Sequence, residues 1–323
     1  MLKWKQFSFA TLVLAVASFT AAGCGSDAPK ADTTQPAGDG ELSVNASFYP
    51  VGEIAQAVGG THAKVTTLIP PGEEAHAYEL TSQQLELAQK ADVVLYLGDG
   101  FQPAVEKMVD GLAKSVTSVD LLSDITLLDV TPQLAGVDGK TDGETLGSGK
   151  DPHVWLDPAN MATMAERVAQ ELSAADPSHA SEYEANALAY TAKLTALGEK
   201  MDQGLETCDS KVIVTSHRAF EYLAARFGLR QIAIAGISPA TEPSAKTLES
   251  VAKAAKADNV KVIYFEDSLP GGLSKTVASE IGVKTDVLDP VETLSDAQIK
   301  AGATYITVQE SNLQSLKQGL GCQ

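Results

Sequence analysis

The chain has 323 residues and a formal net charge of −18, from 42 acidic against 24 basic side chains. A negative field of that size argues against a nucleic-acid partner and suits a cation. The length and the 44% hydrophobic content are enough for two modest domains, and none of the three cysteines lies in a CxxC spacing that would build a structural thiolate site.

At the start, Lys3 and Lys5 precede an apolar run over 7–19, too short to span a bilayer, followed by Ala21, Ala22 and Gly23. This is the pattern of an export signal over 1–23. Ala21-Ala22-Gly23-Cys24 resembles the lipobox of bacterial prolipoproteins, with Ala21 where Leu is usual, and implies lipidation at Cys24. An ordinary signal peptide with a chance cysteine is the other reading. Residues 25–40 are rich in Gly, Ser, Asp, Pro and Thr with little to bury, so 24–41 is expected to be a disordered tether. Export would allow Cys208 and Cys322 to oxidise. A disulfide between them would close a long loop, worth roughly 4–5 kcal/mol in the loop-entropy model; two free buried thiols are the alternative.

Short β-branched runs recur at 42–48, 65–69, 93–97, 212–215, 260–265 and 283–288, each followed by residues of helical period. Such alternation predicts an α/β fold with parallel sheets built from βα units. Segments 82–90 and 103–114 carry apolar positions three and four apart, as crossover helices do. Between the two groups of strands, residues 159–206 read as helix broken once at Asp176-Pro177. The second part places Tyr183, Ala187, Tyr190, Leu194 and Leu197 on one face. The expected organisation is an N-terminal lobe over 42–170, a connecting helix over 171–207 and a C-terminal lobe over 208–323. A ligand cleft would lie between the lobes, at the C-terminal ends of the strands. The glycine-rich stretch 136–151 lacks the spacing of a phosphate loop and reads as a surface loop.

Three of the five histidines have unusual settings: His76 in PPGEEAHAYEL, His153 in DPHVWLDP and His217 in TSHRAFEYL. Two of them follow strand ends. A lone histidine is more often structural than a ligand, but three in comparable positions, each near Pro, Asp, Ser or Glu, suit a metal held by neutral imidazoles. His62 and His179 are assigned to the solvated surface.

The segments PPGEEAHAYEL, DPHVWLDP, DPSHASEYEANALAYTAKL, TSHRAFEYLAARFGL and YFEDSLPGGLSKTVASEIGVK resemble the zinc- and manganese-binding lipoproteins of ABC importers, the cluster A-I binding proteins. They occur in that family's order, and the likeness covers residues 42–322. It implies metal ligands at His76, His153 and His217. It also implies a carboxylate from VLDPVETL, either Glu292, as in zinc-type members, or Asp289, near the manganese-type position. Water completing the coordination is the remaining alternative. Glu73, Glu74, Asp157 and Glu266 could orient an imidazole, while Trp155 and Tyr264 would pack near the site.

Three imidazoles and one carboxylate form a nearly closed tetrahedral set that suits Zn2+, with Mn2+, which favours more oxygen donors, as the alternative. The resemblance implies a monomeric binding protein, anchored outside the cell membrane by its lipid, that hands metal to an ABC permease. Protons should compete for the imidazoles below about pH 6.5. Two rivals are an exported zinc hydrolase and an adhesin lipoprotein with a structural metal. Neither HExxH nor GxSxG is present to support the hydrolase.

Overall fold

The computed structural model describes residues 41–131, 149–240, 242–266 and 272–323. The export signal, nearly all of the tether, Cys24 and most of the glycine-rich stretch lie outside the described residues. Strands and helices alternate through the first half: β1 (Leu42–Ala46), α1 (Tyr49–Gly59), β2 (Ala63–Thr67), α2 (Ser82–Gln89), β3 (Val93–Tyr96), α3 (Pro103–Asp110) and β4 (Thr117–Asp120). A 3-10 turn, Val154–Leu156, leads into α4 (Pro158–Ala175), and a second, Pro177–His179, separates it from α5 (Ala180–Leu205). The second half repeats the alternation with β5 (Val212–Thr215), α6 (Glu221–Phe227), β6 (Arg230–Ala233), α7 (Ala245–Ala257), β7 (Val262–Phe265), α8 (Gly272–Ile281) and β8 (Lys284–Val287). It closes with α9 (Asp296–Lys300) and α10 (Tyr305–Leu320).

Each half forms a four-stranded parallel sheet, in the orders β2-β1-β3-β4 and β6-β5-β7-β8. The expected α/β class with two parallel sheets is the observed one. In both sheets the first strand lies inside, so the connections leave it in opposite directions and open a crevice at the C-terminal strand ends. The inner strands are buried because both faces are covered: Val44 is fully buried and sits in register with Val65 on one side and Val93 on the other. The sequence did not reveal β4 and β6. β4 is an edge strand of sequence TSVD in which only Val119 is buried, and β6 is the edge strand RQIA, so neither shows a continuous apolar run.

One apolar core runs through both halves, from Val44, Phe48 and Trp155 through Tyr183 and Leu194 to Phe220, Tyr305 and Leu316. Smaller clusters lie around Val94, Val105 and Met108 in the first half and around Val214, Ile232 and Ile263 in the second. α4 and α5 pack along each other, and α5 also touches α1 and α10, so it is shared by both halves. The break between α4 and α5 follows from Pro177, which removes a donor and drives Asp176 out of helical geometry, to φ −133° and ψ 80°. Asp176 then caps the new turn by accepting from Ser178 N at 3.2 Å. No helix among the described residues is long and apolar enough to cross a membrane.

A disulfide joins Cys208, just past α5, to Cys322, just past α10, across 114 residues of sequence. The backbone is paired on both sides of it, through Ser210 N to Leu320 O at 3.0 Å and Gln323 N to Thr207 O at 3.0 Å. Cys322→Ser is therefore expected to lower the unfolding free energy by about 2–5 kcal/mol, measured as a fall in the urea midpoint.

Candidate metal centre

Four side chains meet where strand ends from both halves converge. His76 lies on the loop after β2, His153 at the 3-10 turn after β4, His217 just past β5 and Glu292 just past β8. One ligand atom from each falls within 4.8 Å of the others, the only such grouping among the described residues. Glu292 Oε1 is the hub, at 3.1 Å from His217 Nε2, 3.4 Å from His153 Nε2 and 3.7 Å from His76 Nε2. His153, His217 and Glu292 are buried, and the His76 side chain is nearly so, at 7% exposure.

Carboxylates behind the rings fix which nitrogen faces inward. His153 Nδ1 donates to Asp151 Oδ1 at 2.7 Å, and His217 Nδ1 donates to Glu266 Oε1 at 2.5 Å. Ser216 Oγ donates to the same Glu266 oxygen. Glu74 instead shapes the loop, accepting from the backbone N–H of His76 at 2.7 Å and of Ala77 at 2.9 Å. The His76 ring stands edge-on to Phe101, with centroids 4.8 Å apart. His76 Nε2 and His153 Nε2 are buried without a hydrogen-bond partner among the described residues. Orphaned buried polar atoms are costly, and two converging on one carboxylate oxygen form a donor set suited to a cation.

Charge explains how this cluster is tolerated. Burial works to lower the His217 imidazole, but Glu266 and then Glu292 outweigh it and hold the group well above its ordinary 6.5. Burial likewise opposes charge on His153, where Asp151 and then Glu292 win and raise it. Burial would raise Glu292, yet the His217 charge and its hydrogen bond, with the His153 and His76 rings facing the same oxygen, hold it well below 4.5.

Among the residues singled out in the sequence, His76, His153, His217 and Glu292 come together, and Glu266 backs His217. Asp289 does not join them: its Oδ1 accepts from Val291 N at 2.7 Å, shaping its own turn. Asp157 caps α4, accepting from Ala159 N at 2.9 Å, and Glu73 is exposed. Trp155 packs against His153 with ring centroids 5.2 Å apart, whereas Tyr264 points its hydroxyl to Ser315 O beneath α10. Sequence reasoning missed Asp151, although Asp-Pro-His places a carboxylate two residues before an imidazole. His62 and His179 are not simply solvated: each is half-buried and they stack at 3.9 Å, with His179 Nδ1 donating to Asp176 at 2.6 Å.

The family model described as zinc-uptake complex component A, periplasmic, matches residues 44–319. The chain belongs to this family. Over 287 residues it is 39% identical to the zinc-binding lipoprotein AdcA of Streptococcus pneumoniae, covering 88% of this chain but 57% of that one. The chain therefore spans little more than half of that relative. It is 33% identical over 311 residues to the high-affinity zinc uptake system protein ZnuA of Bacillus subtilis, covering 95% of this chain and 96% of that protein. Among solved structures, the Zn(II)-bound ZnuA-like domain of S. pneumoniae AdcA superposes with a TM-score of 0.74 at 38% identity, over 87% of this chain and 99% of the domain.

The family's two-lobe frame thus brings an ion-pair cluster to its seam whose state depends on pH. In metal-free protein, His217 should titrate above 6.5, and Glu266→Gln should bring it down, both read from the ring resonances by NMR. The sign follows from linkage: a group raised on folding stabilises the fold below its unfolded pKa, and that contribution is lost as pH rises through its folded value.

Proposed function

We propose that this chain is an extracytoplasmic substrate-binding lipoprotein that captures Zn2+ at His76, His153, His217 and Glu292 and delivers it to an ABC import permease. It acts as a monomer tethered to the cell membrane through lipidated Cys24. The observation that carries this reading is the convergence of three inward Nε2 atoms on one carboxylate oxygen, at 3.1, 3.4 and 3.7 Å. Tetrahedral zinc with bonds of 2.0–2.2 Å requires its ligand atoms about 3.3 Å apart, a spacing the three distances to Glu292 approach, with all four ligand atoms within 4.8 Å of one another. Three nitrogens and one buried carboxylate suit zinc better than manganese, which prefers more oxygen donors. Four protein ligands also favour capture over hydrolysis, because catalytic zinc keeps a position open for water.

Metal must displace protons held by His217 and His153. The competition therefore sets in above pH 6.5 and not only below it, an upward correction caused by Glu266, Asp151 and Glu292 lying against buried rings. Replacing His76, His153 or His217 with Ala should weaken zinc binding by more than the roughly 10–100-fold typical of losing an outer-shell partner, while the fold persists. Titration calorimetry on protein purified without an affinity tag measures this, and unchanged affinity in all three variants would refute the site. Wild-type affinity should still be rising with pH at 6.5, with proton release on binding. A strain lacking the chain should require added zinc in depleted medium; growth without it would favour the adhesin alternative.

A further inference from the structure

The residue before Glu292 is conformationally costly. Val291 has a φ of 57°, in the left-handed region that a β-branched side chain rarely adopts, and it is completely buried. Such a conformation persists only where the surroundings enforce it. It also turns the chain so that Glu292 follows directly into the cluster.

The enforcing groups come from one face of α10. Asn312 grips Asp289 from both sides, accepting from its N–H at 2.9 Å and donating to its carbonyl at 2.7 Å. Asp289 Oδ1 then holds Val291 N at 2.7 Å. One turn back along α10, Gln309 Oε1 accepts from Asn312 Nδ2 at 3.2 Å, and Gln309 Nε2 donates to the Tyr305 hydroxyl at 3.4 Å. Tyr305 in turn donates to the Trp155 carbonyl at 2.6 Å, and Trp155 Nε1 donates to the Pro290 carbonyl at 2.7 Å. All three α10 residues are buried. The result is a closed ring of hydrogen bonds joining the segment two residues past His153 to the turn just before Glu292.

We propose that Asn312, with Gln309 and Tyr305, is a positioning element that holds Val291 left-handed and so presets the Glu292 carboxylate opposite His153 before metal arrives. This rests on the zinc-capture reading above and assigns the affinity of that site partly to a helix that contributes no ligand. Asn312 acts through Glu292, so its effect exists only where Glu292 exists.

That dependence gives the test. Zinc affinity is measured on the full chain for wild type, Asn312→Ala, Glu292→Ala and the double variant, with Asn312→Asp, which keeps the acceptor for Asp289 N, replacing Ala if Asn312→Ala fails to fold. Asn312→Ala should cost roughly 10–100-fold in the wild-type background and nothing further in the Glu292→Ala background. The visible absorption of bound Co2+ in Asn312→Ala should also move towards that of Glu292→Ala. Equal losses in both backgrounds, or wild-type affinity in Asn312→Ala, would overturn the assignment while leaving zinc capture intact. Absence of zinc binding by the wild-type chain would remove both.

Discussion

A single carboxylate oxygen of Glu292 faces three imidazole nitrogens delivered from three separate segments of the chain, and the surrounding structure answers to that contact. An acid buried to 6% exposure is tolerated only if its charge is balanced. With Asp151 and Glu266 behind the rings, the seam holds three carboxylates, and the raised His153 and His217 supply the positive charge. A divalent cation bound to neutral imidazoles restores the same balance as two protons. In the proposed site metal and protons are therefore interchangeable counter-charges, which accounts for a preformed cluster and ties metal affinity to pH.

Preformation also depends on the frame. The repeated strand order places the crevice of each sheet at its C-terminal edge, and the two crevices meet at the cluster. The seam is then stitched. The Tyr222 hydroxyl donates to Asp151 O at 2.8 Å and accepts from Leu128 N at 2.9 Å, Trp155 reaches Pro290, and Gly72 N donates to the Thr293 hydroxyl at 2.7 Å. Each stitch ends within two residues of His153 or Glu292, or on the loop leading to His153. With one apolar core continuous through both halves, wide opening would break packing as well as these bonds. Local loop adjustment is the motion this construction leaves cheap.

Much of this was legible in the sequence. The inner strands announce themselves as β-branched runs, and the three histidines of the cluster stand out by their proline- and acid-flanked settings and by resemblance. What escaped has physical reasons. Edge strand β4 buries only Val119, and β6 opens on exposed Arg230 and a buried but polar Gln231, so neither strand shows an apolar run. Asp151 reads as a turn residue until the fold shows its oxygen on His153. The stripe Tyr305, Gln309 and Asn312 has the spacing of a helix face, but its polar character reads as exposure. Burial of such a stripe is paid for only by hydrogen bonds to distant segments, which no local pattern reveals.

The same ring of hydrogen bonds favours Glu292 over Asp289 as the fourth ligand of the proposed site. For Asp289 to reach the cluster it would have to release Val291 N, leaving a fully buried residue in a left-handed conformation without its restraint. Its backbone is fixed at both ends by a buried Asn312 amide, which would lose satisfied partners if the turn moved. Glu292 carries no such duty, and its side-chain oxygen already lies against three nitrogens. In the proposed site the fourth position is set less by which carboxylate binds metal better than by which one the turn can spare.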